Sequence, residues 1–237
     1  MNSLDKLAVE DWLAGQLLLV DKPLEWTSFQ VVNKIRWALK KRWGLKKIKI
    51  GHAGTLDPLA SGLLLICVGK WTKRIGEFQG MDKEYSGQIQ LGATTPSYDL
   101  ETAIDTTYPT DHSSPDKIEA VRKTFLGSQE QFPPLFSAIK KEGVRLYEHA
   151  RKGETVAVDA RKIHIDTFEL DSRAFPVLGF QVRCSKGTYI RSLAYDLGRA
   201  LESGAHLKSL CRTQIGKYRL DDAYPLDRLI NLITPKT

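Results

Sequence analysis

KIGHAGTLDPLASG, residues 49–62, places three glycines, a histidine and an Asp-Pro step within fourteen residues. What Asp57 does there decides how the chain is read. Aspartate followed by proline is a favoured helix start, with the carboxylate as N-cap and proline at the first helical position. A metal site needs more ligands than His52 and Asp57 supply. A phosphate cradle needs GxxxxGK[ST] or GxGxxG between strand and helix, and neither is present. A nucleophile or base needs a tight backbone that presents the carboxylate, and Gly51 and Gly54 allow one. The stretch alone leaves the cap and the catalytic group both open.

The remainder of the chain bounds the answer. Its 237 residues suffice for a good core, and 42% apolar with 27% charged residues is ordinary globular composition. Cys67, Cys184 and Cys211 are odd in number and far apart, which argues against a disulfide framework or a zinc site. The N-terminus carries more acid than base ahead of its apolar run, unlike a signal peptide, and LLLV and LLLICV are too short to span a bilayer. A cytoplasmic protein with no membrane partner is expected. The net charge of +7 is unevenly placed: residues 34–49 contain eight Lys or Arg and no acid, interleaved with Trp37 and Trp43. That pattern fits a solvated helix face over two core tryptophans, or a surface for nucleic-acid phosphates.

Periodicity and end signals predict a strand at GQLLLVDKP and a helix from Phe29 to Trp43, capped by Thr27 or Ser28 and ended by Gly44. KKIKIGH alternates as a strand, whereas the type of LASGLLLICVG is not fixed by its pattern. EYSGQIQLG, RKIHIDTFEL and GFQVRCSKG read as strands. SPDKIEAVRKTFLG reads as a capped helix, and TYIRSLAYDLGRALESG as a helix of about four turns. The irregular alternation predicts an α+β fold with a mixed sheet. Residues 131–159, rich in basic and aromatic side chains, read as an excursion over a surface.

GHAGTLDPLASGLLLICVGKWTK, DKEYSGQIQLG, QFPPLFSAIKKEGVRLYEHARKG, VRCSKGTYIRSLAYDLG and GAHLKSLCRTQIG, in that order and spacing, resemble the TruB family of tRNA pseudouridine synthases. VDKPLEWTS resembles the family's N-terminal motif, and the resemblance runs from residue 15 to 232. Ala53 stands where a hydroxyl residue is usual, Glu25 where glycine is, and Phe136 where tyrosine is. Many relatives continue into a small RNA-binding PUA domain, and this sequence stops at PKT.

The resemblance implies a pseudouridine synthase fold, a mostly antiparallel central sheet flanked by helices, in a single domain over 1–237 without a PUA domain. It implies isomerisation of uridine to pseudouridine in the T-loop of tRNA, at position 55 of tRNA nomenclature. The reaction has no redox change, so no cofactor or metal is expected. The family's aspartate maps onto Asp57, its partner arginine onto Arg191 and its active-site tyrosine onto Tyr85. Each has a bland reading too: Arg191 as an exposed helix residue, Tyr85 as a core tyrosine. His52 matches the histidine near the flipped-out nucleotide. Tyr189 and Lys22 frame the pocket, and Lys73 contacts phosphate. In the excursion Lys140, Lys141, Arg145, Arg151 and Lys152 are available to RNA. The expected partner is the T-arm stem-loop of tRNA, bound by a monomer. The alternatives are a tRNA-folding chaperone on the same fold and a guide-dependent synthase of the box H/ACA kind.

Overall fold

A computed structural model of the chain describes residues 4–137, 140, 141, 143–146, 148, 154 and 158–234. The chain divides into two compact units, one of residues 1–85 with 211–237 and one of residues 86–210.

The first unit is built around β1 (Gln16–Lys22) and β3 (Ala60–Val68), antiparallel in a register that sets Lys22 opposite Gly62 and Gln16 opposite Val68. The three-residue β2 (Ile50–His52) pairs with β3, so KKIKIGH is strand only at its end. β14 (Tyr224–Pro225) lies parallel beside β1, and β13 (Tyr218–Arg219) pairs with the end of β12 (Ala205–Ile215). β3 is buried on both faces. Leu64, Ile66 and Val68 pack into one core with α2 (Ser28–Trp43) and α6 (Leu226–Ile233). Leu63, Leu65 and Cys67 face a second cluster containing Leu19, Phe78 and Ile215. Hence its apolar run has no alternation. α1 (Val9–Ala14) adds Trp12 to the first core, and α3 (Ile75–Gln79) adds Phe78 to the second.

α2 forms where its end signals predict. The Thr27 side chain accepts from the Gln30 amide and the Gln30 side chain accepts from the Thr27 amide, while Gly44 closes the helix at φ 61. Val31, Val32, Ile35, Ala38 and Leu39 are its buried stripe.

In the second unit β7 (Gly127–Gln131), β10 (Arg161–Ala174) and β11 (Val177–Cys184) form an antiparallel run with β10 in the middle. α4 (Pro115–Thr124), capped by Ser114, rests on β10, and Phe125 meets Phe168 edge-on at 6.3 Å. α5 (Ile190–Ala200) is shorter than the four turns predicted, because the chain turns at Glu202 (φ 60) and Gly204 (φ 55) before entering β12. The short β5 (Ala93–Thr94) pairs with β6 (Thr106–Thr107), and β8 (Lys140–Lys141) with β9 (Val144–Arg145). β4 (Lys83–Leu91) and β12 each cross a boundary between the two residue ranges. The fold is α+β with a mostly antiparallel sheet. Among the described residues no helix is long and apolar enough to cross a membrane.

Gly62 has φ +99, and a Cβ there would lie 2.5 Å from the Arg212 carbonyl oxygen. Gly62→Ala therefore combines backbone strain with a backbone clash. It should lower stability by at least about 1–3 kcal/mol, measured by urea unfolding.

Candidate active site

Asp57 lies in the connection between β2 and β3. Its carbonyl accepts from the Ala60 amide at 3.1 Å, closing a turn with Pro58 at the second position, where a fixed φ is favoured. The chain then enters β3, not a helix, so the cap reading of Asp57 is overturned. Both structures favour Asp-Pro; the apolar run that follows is buried on two faces and goes into the sheet. The residue before Asp57 is fixed by α2. Ser28 Oγ donates to the Leu56 carbonyl at 3.1 Å and accepts from the Leu56 amide at 2.9 Å, with both residues buried.

Two buried cations hold this connection. Arg212, 1% exposed, donates from Nε to the Leu63 carbonyl at 2.8 Å, from Nη2 to Gly54 at 3.1 Å and from Nη1 to Thr55 at 3.5 Å. One guanidinium thus joins β3 to the chain before Asp57. Lys22, fully buried, donates from Nζ to the carbonyls of Pro23 at 2.9 Å, Trp26, and Pro58 at 3.4 Å. Burial pushes the Lys22 ammonium down to about 8, against the favourable charge of Asp57 and with the unfavourable charge of Arg212. The two cations hold the main chain on either side of Asp57, Arg212 at Gly54 and Thr55 and Lys22 at Pro58. Asp57 is half-buried, and its negative charge favours the charged form of Lys22. Glu25, noted where glycine is usual, adopts φ 65 and donates its amide to Pro58 at 2.8 Å, so this position does have the backbone that suits glycine.

Of the other predicted residues in this unit, His52 is on β2 opposite Ile66, and burial lowers its pKa, the Gly54 backbone opposing and Arg212 adding to the shift. Its Nδ1 is buried with no hydrogen-bond partner among the described residues. Tyr85 is buried on an alternating stretch of β4. Lys73 is exposed on a 3-10 turn, Gly69–Arg74.

In the second unit Arg191 is 4% exposed, which overturns its reading as an exposed helix residue. Its guanidinium donates to the carbonyls of Phe136 at 2.9 Å and Ser97 at 3.3 Å, and Nε lies 3.7 Å from Asp99 Oδ2. Tyr189 precedes α5. Its amide donates to Gln131 Oε1 at 2.8 Å, the Gln131 side chain donates back to its carbonyl, and Arg161 covers its ring at 5.0 Å. The start of the excursion is therefore fastened to the first turn of α5. Lys140 and Arg145 are opposite each other in the β8–β9 pair. Arg151 and Lys152 lie outside the described residues. Sequence reasoning missed Arg212, Ser28 and Asp99. An arginine in a strand reads as surface charge, and no local pattern announces that its partners are three carbonyls. Among the described residues no group of three or more His, Cys, Asp or Glu could hold a metal.

These positions meet an independent likeness. Residues 40–190 match the TruB family pseudouridylate synthase N-terminal domain, and residues 191–236 the tRNA pseudouridylate synthase B C-terminal domain. The chain belongs to the TruB family of pseudouridine synthases. It is 60% identical over 215 residues to tRNA pseudouridine synthase B of Flavobacterium johnsoniae, covering 90% of this chain and 94% of that one. The protein of the same name from Phocaeicola vulgatus is 55% identical over 90% of this chain and 91% of its own. Among solved structures, a chain of a Cbf5–Nop10–Gar1 complex superposes with a TM-score of 0.71 at 30% identity. That match covers 97% of this chain and 57% of the other, so this chain spans little more than half of that protein.

The Lys22 ammonium gives a pH test. Between about 8 and its ordinary value of 10.5, the unfolded chain binds a proton that the folded chain has released. The contribution of Lys22 to stability thus rises with pH across that window. Urea unfolding at pH 7.5 and 9.5 should show the parent gaining stability relative to Lys22→Met at the higher pH.

Proposed function

We propose that this chain isomerises uridine to pseudouridine in tRNA, acting on the T-loop uridine at position 55 of tRNA nomenclature. The observation that carries it is the Asp57 turn, whose flanking main chain is held by two buried cations, within the motif of a family named for this reaction. The isomerisation breaks the N1–C1′ bond and forms a C5–C1′ bond. The proton lost at C5 is balanced by the one gained at N1, and no electrons are exchanged. Asp57 acts as nucleophile or base, for which an ionised, positioned carboxylate is required. Arg191 is its cationic partner, and Tyr85 stacks on the uracil and assists proton removal at C5. His52, Tyr189 and Lys22 frame the nucleotide, which must leave the helical stack to be reached. Lys73, Lys140, Arg145 and Arg151 take backbone phosphates. Residues 1–237 work as one catalytic domain in a cytoplasmic monomer, with residues 131–159 gripping the T-arm.

The guide-dependent reading is weaker. Relatives matching over nine-tenths of both chains are named for tRNA, whereas the Cbf5 likeness reaches only 57% of that chain. The chaperone reading makes Asp57 dispensable, which the next experiment decides.

Parent protein incubated with unmodified tRNA should place pseudouridine at one T-loop position on chemical mapping. Asp57→Asn should make none while binding tRNA within a few-fold of the parent, because many phosphate contacts carry affinity and one carboxylate carries chemistry. Turnover by the Asn variant, with deamidation excluded by mass, would refute the assignment.

A further inference from the structure

The residues from Trp26 to Leu56 contain eight Lys or Arg and no Asp or Glu. That excess is larger than the +7 of the whole chain, so the remaining residues are nearly neutral together. The structure sorts the five that α2 carries. Arg42 donates to the carbonyls of Leu232 and Ile233 at the end of α6, and stacks over Trp43 at 4.4 Å. Arg36 binds Asn33 and the Ile50 carbonyl. Both arginines brace the fold, so Arg42 is not a free surface cation.

The lysines are different. Lys34, Lys40 and Lys41 are exposed on the outer face of α2, and among the described residues none has an ion pair. Between them stands Trp37, 52% exposed, with the ammonium groups of Lys34 and Lys41 at 5.5 and 5.0 Å from its ring. The core cluster beneath α2 includes Trp12, and Trp26 and Trp43 pack against it; Trp37 does not. An indole kept in water within an all-cationic stripe contributes little to folding. It has the composition of a strand-binding surface: charges for phosphates and an aromatic face for a base.

We propose that the outer face of α2 is a second RNA contact, in which Lys34, Lys40 and Lys41 bind backbone phosphates and Trp37 stacks on an unpaired base or ribose. The occupant is RNA because the face offers only positive charge and one stacking ring, complementary to a polyanion with exposed bases. The site rests on the reading of this chain as an RNA-modifying enzyme, and deepens it. Ser28, at the start of α2, is fixed to the residue before Asp57. Lys40 is twelve residues further, about 18 Å along the helix axis. The face therefore meets RNA well away from the nucleotide undergoing reaction, and governs affinity and not the chemical step.

Binding of unmodified tRNA is measured across a salt series for the parent, for the triple variant Lys34→Gln, Lys40→Gln, Lys41→Gln, and for Trp37→Ala and Trp37→Phe. The triple variant should flatten the log–log salt slope by about 2, at roughly 0.7–0.9 per contact, and bind at least tenfold more weakly near 0.1 M salt. Trp37→Ala should lose about fivefold or more with the slope unchanged, and Trp37→Phe should recover most of it. All should melt with the parent and keep kcat within about twofold at saturating tRNA. Parent-like affinity and slope in the triple variant and in Trp37→Ala would overturn the proposal and leave the face to a protein partner. A parent that binds tRNA in this salt-dependent way but forms no pseudouridine would overturn the proposed reaction and not this surface.

Discussion

The Arg212 guanidinium, donating to the carbonyls of Leu63, Gly54 and Thr55, is the interaction on which the placement of Asp57 depends. Burying a cation costs several kcal/mol unless its donors are satisfied. Two of those carbonyls, Gly54 and Thr55, belong to an irregular connection, where backbone groups lack the ladder partners of a strand, and the third, Leu63, belongs to β3. Each requirement meets the other. The geometry also needs Gly62, since any side chain there would strike the Arg212 backbone. Lys22 repeats the arrangement from β1, with its ammonium on the carbonyls of Pro23, Trp26 and Pro58. The segment that carries Asp57 is thus suspended from charges whose partners are main-chain atoms.

How far the sequence disclosed this depended on whether the signal was local. α2 and α4 were legible because Thr27, Gly44 and Ser114 act within one turn of the helix they bound. β3 was not, since a strand covered on both faces loses the alternation by which strands are recognised. Asp57 was ambiguous for a related reason: Asp-Pro satisfies a β-turn as well as a helix start, and only the burial of residues 63–68 decides between them. Arg191 was found through the GTYIR motif, but its contacts with Asp99, Ser97 and Phe136 lie far from it in sequence. Arg212 gave no sign because its partners are carbonyls, which every residue possesses.

Charge counting had the same limit. The basic segment between Trp26 and Leu56 predicts an electrostatic surface, yet its arginines cap and brace while its lysines remain in solvent. The division follows the chemistry of the groups. A planar fork of donors suits several carbonyls at once, whereas a compact, strongly hydrated ammonium is retained in water. Lys22 departs from that rule, and its depressed pKa reflects the cost.

The most direct measurement of the account is single-turnover pseudouridine formation by Arg212→Lys and Arg212→Met beside tRNA affinity and thermal melting. Lysine keeps the charge but cannot serve carbonyls on both sides of the connection. A displacement of Asp57 by about 1 Å is enough to cost on the order of a hundredfold in rate. That loss is expected in both variants among folded molecules, with tRNA affinity within about threefold of the parent. A parent-like rate in either variant would show that Asp57 keeps its position without the guanidinium, and would contradict the account.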